Sequence, residues 1–334
     1  MTQRRTIALI ALAGLLAACG GPSEPAEHPA PPPLAAEDGP SEPSRAPAAA
    51  SREVAEAFDA IQAEDFEKAK RLLTAARAQH PKDAQAAFLL GVASEKTGET
   101  EAAIALYREA LALEPKHVDA AVYLSALLLD AGDGAGCASV VEQGLAAEPK
   151  QRELIVNRAL CLDAAGDAAR AAPAYAAAIA VAPDDPSLRL AYADALFRAG
   201  QTKNALAELD RIESGGEDVL ISVASLYGKF GEPAKCIAAL EPAIMRKPSP
   251  ALLVRRGLCR HELKDAKGER ADYEAAIKLD PKSASAHYYL GLFLRAAGKR
   301  AEAKSELEKA VASAGDSALG KAAAKALAEL GGSP

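Results

Sequence analysis

The sequence has no tryptophan and only two methionines, and aromatic residues make up 4% of its 334 positions. A chain that holds single-stranded nucleic acid stacks bases on planar side chains and neutralises phosphates with cations. With so few rings and a formal charge of -7, this one suits neither task, and no nucleic acid partner is expected. Long apolar runs are also missing. No uninterrupted stretch reaches the roughly 18 to 20 residues that cross a bilayer, which excludes a polytopic membrane protein. The histidines, His28, His80, His117, His261 and His287, are scattered, and none accompanies a nucleophile motif or stands at a zinc-ligand spacing from a cysteine. Gly132-Asp133-Gly134-Ala135-Gly136 looks like a phosphate loop, but it follows no strand and its last spacing is wrong, so it reads as a helix turn. Acidic residues are spread along helix faces rather than paired. An enzyme activity, a metal, a cofactor or a small-molecule substrate therefore has no residue to rest on. What the chain does have, 50% apolar and 25% charged residues, is enough for a large core.

The N-terminus reads as an export signal. Arg4 and Arg5 precede the apolar run Ile7 to Ala18, which ends in small residues next to Cys19. The tetrad Leu16-Ala17-Ala18-Cys19 resembles the lipobox of bacterial lipoproteins, which implies cleavage before Cys19 and acylation (palmitate) of that cysteine. Residues 1–18 are then a signal peptide. Acyl chains contribute about 0.8 kcal/mol per buried CH₂ and hold a protein on a bilayer without help from charge. Enterobacterial lipoproteins kept at the inner membrane resemble one another in carrying aspartate after the cysteine, so with Gly20 there the resemblance implies the outer membrane, periplasmic side. Loss of the two arginines brings the mature chain near -9, which rules out a polybasic membrane-surface mode as an expectation from net charge. Residues 19–47 carry nine prolines amid Gly, Ser, Ala and Glu, and form an extended tether.

Residues 48–315 repeat. Pro81, Pro115, Pro149 and Pro183 recur every 34 residues, and Pro248 and Pro281 continue the series after a gap of two short copies. Gly98, Gly132, Gly166, Gly200, Gly231 and Gly298 form a second column, which Glu64 and Lys264 complete to eight copies. Between these marks apolar residues recur at three- and four-residue steps, the helical period, so each copy predicts two helices turning at the glycine and ending at the proline. Neither helix buries its face alone, and stacked copies share one core. Ile212 and the segment 213–216 make the fifth copy irregular. Pro173 and Pro242 fall inside second helices, where each is expected to remove a hydrogen bond and kink the helix, whereas Pro186 and Pro250 fall at helix starts. Residues 316–331 predict a capping helix.

Seven residues before the turn stand Ala57, Gly91, Ser125, Ala159, Ala193, Ala224, Gly257 and Gly291. Five after it stand Ala69, Ala103, Cys137, Ala171, Ala205, Cys236 and Ala303, with Glu269 the exception. Nine after it the residues are large: Leu73, Tyr107, Val141, Tyr175, Leu209, Leu240, Tyr273 and Leu307. These columns resemble the tetratricopeptide repeat. The resemblance implies an all-α fold, a right-handed superhelical solenoid of about eight helix pairs plus a C-terminal capping helix.

The four remaining cysteines fall in register. Cys137 and Cys236 lie five residues after a turn, and Cys161 and Cys259 five before the next. Second helices pack on the following first helices, so Cys137–Cys161 and Cys236–Cys259 are expected as disulfides in an exported chain. The alternative is that cysteine replaces alanine at small buried sites.

Family members bind partners on a groove lined by first helices. The matching columns give Phe88, Val92, Val122, Leu129, Val156, Leu160, Leu190, Phe197, Ile221, Val254, Leu258, Tyr288 and Leu292 as a candidate partner-binding groove for a peptide or helix. The Lys and Asn of carboxylate-clamping relatives are missing. The competing reading is that much of this stripe is core between repeats. The chain resembles tetratricopeptide-repeat lipoproteins of envelope, type IV pilus or secretin assembly. That resemblance implies a non-enzymatic scaffold or adaptor for protein partners, attached to the membrane by its lipid anchor. The alternative is an accessory subunit of a cell-wall or polysaccharide enzyme complex.

Overall fold

The computed structural model describes residues 52–212 and 216–331. The signal peptide, Cys19 and the tether lie outside them, as do residues 213–215 of the irregular segment. Seventeen α-helices and no strands are found among the described residues, which fall into two compact units meeting in sequence between Gln201 and Thr202.

The first unit contains α1 (Arg52–Gln62), α2 (Phe66–Gln79), α3 (Ala84–Lys96), α4 (Thr100–Leu113), α5 (Val118–Asp130), α6 (Gly134–Ala147), α7 (Arg152–Ala164), α8 (Ala168–Val181) and α9 (Pro186–Arg198). Each helix packs on the next, and α1 and α5 also touch the following first helices, α3 and α7. The second unit contains α10 (Thr202–Leu209), α11 (Glu217–Lys229), α12 (Pro233–Arg246), α13 (Pro250–Glu262), α14 (Ala266–Leu279), α15 (Ala284–Ala296), α16 (Arg300–Ala314) and α17 (Ala318–Gly331). Here too neighbours pack in order, with first helix α13 touching both α11 and α15. The helices α11 to α16 form regular pairs, and α10 stops after 8 residues where α12 and α14 run for 14, leaving Ile212 beyond its end.

The helix boundaries have local causes. Asp65, Asp83, Asp133, Asp167, Asp185 and Asp265 each precede a helix, and their carboxylates accept backbone N–H bonds that the first turn cannot make internally. The turn glycine adopts the left-handed conformation in every copy that has it, from φ 74° at Gly298 to 85° at Gly98. Glu64 and Lys264 adopt the same conformation, at φ 57° and 59°, although they carry side chains. Pro186 and Pro250 occupy first turns as expected, while α8 and α12 run on through Pro173 and Pro242.

The small and large columns meet within each pair. A Cβ added at Gly91 would stand 2.6 Å from the Tyr107 ring, and one at Gly291 would stand 2.8 Å from Leu307. The glycines thus make room for the large side chain of the second helix. At the C-terminus α17 packs on α15 and α16, and Leu319, Ala323 and Ala326 bury against Tyr288, Leu307 and Ala310. This helix covers the last apolar face.

Candidate functional site

First helices are covered on more sides than a surface helix. In α3 every residue from Ala86 to Ser94 is buried, because α2, α4 and α1 all pack against it. That coverage decides the fate of the candidate groove. Phe88, Val92, Val122, Leu160, Leu190, Ile221, Val254 and Tyr288 are all buried, and Phe88 has no exposed surface. Their side chains build the core between repeats and are not open to a partner, which corrects the reading of the whole stripe as groove. Leu129, Val156 and Phe197 in the first unit, and Leu258 and Leu292 in the second, remain half-buried.

The polar residues interspersed with them are engaged within the chain. Glu95 accepts a hydrogen bond from the Tyr107 hydroxyl at 2.8 Å, and Asp163 accepts one from Tyr175 at 3.1 Å. Burial, then the adjacent carboxylate, pushes both phenols up, so they stay neutral donors. Arg198 bonds Asp163 and also Asp194, the latter at 2.9 Å. His261 faces Glu269 at 3.1 Å, and Arg295 donates to Glu329 of α17 at 2.8 Å. Burial pushes the Glu269 carboxyl up, against the pull of His261.

Two other histidines also serve the scaffold. Nδ1 of His117 accepts the Ala120 N–H as a helix cap, and burial lowers its pKa. His287 bridges Glu306 at 2.6 Å and the Pro281 carbonyl at 3.1 Å. No group of three or more His, Cys, Asp or Glu is placed to hold a metal ion among the described residues. No helix there is long and apolar enough to cross a membrane.

The structure brings both cysteine pairs together. Cys137 on α6 and Cys161 on α7 form a disulfide contact with Cα atoms 5.4 Å apart, and Cys236 on α12 and Cys259 on α13 form another at 6.2 Å. Both separations suit a cystine, and all four residues are buried. Each pair joins a second helix to the first helix of the next copy.

One feature escaped the sequence reading. An open cleft of about 560 Å³ lies on α6, α7 and α8, lined by Leu145, Ala146, Ile155, Ala177 and Val181 and edged by the Arg158–Glu142 ion pair. Its signal was present in Ala174, Ala177 and Ala180, small residues at three-residue steps on a second helix.

The family description "Tetratricopeptide repeat" matches residues 49–212, and again residues 224–284 and 270–318. The chain belongs to the tetratricopeptide-repeat family. Solved structures similar to it include a tetratricopeptide repeat protein from Parabacteroides merdae ATCC 43184, at 18% identity and TM-score 0.46, covering 72% of this chain and 97% of that one. MamA from Desulfovibrio magneticus RS-1 matches at 18% identity and TM-score 0.44, over 49% of this chain and 95% of its own. Yeast Tom70 matches at 16% identity and TM-score 0.48, over 86% of this chain and 66% of its own. At these scores the likenesses carry no argument about what the chain binds. No curated protein matches it. The tetratricopeptide fold is generally a protein-interaction scaffold, and no catalytic family is indicated.

Proposed function

We propose that the protein is a non-enzymatic adaptor, lipid-anchored through Cys19 to a bacterial envelope membrane, which holds partner proteins on the exposed parts of its first helices. The carrying observation is the half-buried state of Leu129, Val156 and Phe197 in the first unit. Apolar surface left there, beside carboxylates that Tyr107, Tyr175 and Arg198 already engage, favours an apolar helix or extended peptide over a charged ligand. The tether reading adds reach, and the outer membrane remains the favoured site because of Gly20.

The test is capture from detergent-solubilised membranes by the parent and by a Leu129→Glu, Val156→Glu variant. Both positions are half-buried, so the charges meet water and far-UV dichroism should be unchanged. Leu190, at 2% exposed, is unsuitable because a carboxylate there would be forced into the core. The variant should lose the specific partner at least tenfold. Equal capture by both proteins refutes the site. Pilus, secretin or outer-membrane assembly components among the partners would support the pathway resemblance, and wall synthases or hydrolases would replace it.

A further inference from the structure

The charge of the chain is unevenly divided. Residues 52–201 hold 15 Lys and Arg against 23 Asp and Glu, a balance of -8, whereas residues 202–334 hold 21 against 18, a balance of +3. Within the second unit the excess is local. Helices α12, α13 and α14 pack in order and reverse direction at each short turn, so the C-terminal ends of α12 and α14 face the same edge. The two segments there, 243–249 and 277–283, contain Arg246, Lys247, Lys278 and Lys282 against Asp280, and Glu217 of α11 reaches the first of them, accepting a hydrogen bond from the Ser249 hydroxyl at 2.6 Å. All four cations are exposed, and none has an ion-pair partner among the described residues. The equivalent segments of the first unit are balanced or acidic, since Lys82, Lys116 and Lys150 each stand near Asp83, Glu114 or Glu148, and Asp184-Asp185 closes the fourth copy.

The same edge carries exposed apolar side chains. Met245 is 85% exposed and Leu279 49%, the two largest values among the described large apolar residues. Each is flanked by cations, Met245 by Arg246 and Leu279 by Lys278. A flexible apolar side chain between cations matches the boundary between anionic headgroups and acyl chains, where the methyl group enters and the charges stay outside.

We propose that this edge of the second unit docks on an anionic phospholipid bilayer through Met245, Arg246, Lys247, Lys278, Leu279 and Lys282. The net charge of the whole chain argues against such a mode only as an average. Screening limits a surface charge to about 8 Å at physiological ionic strength, so the membrane meets the local balance. The docking needs no acyl chain, and it rests on the anchored-adaptor reading only for which membrane it meets. Docking would lay the second unit along the surface that the tether leaves from.

Flotation of the mature chain with vesicles tests it. Phosphatidylglycerol–phosphatidylcholine vesicles are compared with phosphatidylcholine alone. The chain used is the mature one that begins at Cys19 and lacks Arg4 and Arg5; binding through its acyl chains is indifferent to lipid charge, so it is read on phosphatidylcholine and removed with Cys19→Ser. The edge is read in the difference between the two compositions. Each basic residue near an anionic surface contributes roughly fivefold in partitioning. The parent should therefore prefer phosphatidylglycerol vesicles more than tenfold, and Arg246→Glu, Lys247→Glu, Lys278→Glu, Lys282→Glu should abolish the preference.

Met245→Ser should weaken binding to the phosphatidylglycerol vesicles themselves by about tenfold while leaving the ratio between the two compositions in place. If the fourfold reversal disturbs helicity, Arg246→Gln with Lys282→Gln gives the same reading at smaller size. No preference in the parent, or a preference that survives the charge substitutions, overturns the proposal, and an acidic protein is then the better occupant. Loss of the charge-independent binding in Cys19→Ser leaves the edge untouched and bears only on the anchor.

Discussion

At the scale of single residues, conformation and charge set the local terms. Lys264 holds the left-handed turn that glycine fills in six other copies, at φ 59°. A side chain there costs about 1 to 2 kcal/mol, and glycine returns part of that through a freer unfolded chain. Lys264→Gly should therefore raise stability by about 0.5 to 1 kcal/mol in urea titration, and a loss would show that its side chain has another role. Glu306 gives a pH dependence. Burial tends to raise its pKa, but Lys309 at 2.7 Å and His287 at 2.6 Å outweigh burial and hold it below the ordinary carboxylate value of 4.5. A carboxylate depressed on folding adds stability above its unfolded pKa and loses it as pH falls through the folded one. Glu306→Gln should cost about 1 kcal/mol at neutral pH. Its urea midpoint should also fall less steeply than the parent's below pH 4.5, and parallel curves would contradict the assignment.

At the scale of helices, the two cystines bridge the α6–α7 and α12–α13 junctions. Repeat stacks open junction by junction, because stability comes from neighbour contacts. A bridge across a junction holds together what packing alone would let separate. Closing loops of 24 and 23 residues, each should stabilise by about 3 kcal/mol. The Cys137→Ala, Cys161→Ala protein should lose that amount. Intact mass under denaturing, non-reducing conditions should show no alkylatable thiol among the four, and four reactive thiols would leave only the small-residue role.

At the scale of the whole molecule, the functional reading depends on the N-terminus. Protein recovered from membranes should begin at Cys19 and carry the mass of acyl chains, with the tether intact. A mass matching an unmodified chain would remove the anchor, although the adaptor reading of the repeats would survive. The repeats were legible because their signals are local and periodic. Gly98 or Pro115 reports a turn irrespective of the rest of the fold, and the cysteine pairs followed once the copies were in register. The groove was less legible, since Phe88 and Val156 occupy the same column yet one is buried and the other half-exposed.

Among the described residues, spacing therefore determined that the repeats are helical, how many helix pairs they form, where each turns and which cysteines meet. These follow from backbone preferences and from a helical period that repeats whatever surrounds it. Tertiary structure decided which apolar faces are spent on packing. Periodicity tells which residues share a face, but only the neighbours of α3 and α7 decide how many faces remain open. It also decided where charge collects. Residues 246 and 282 are far apart in sequence, and it is the stacking of α12, α13 and α14 that puts their cations on one edge.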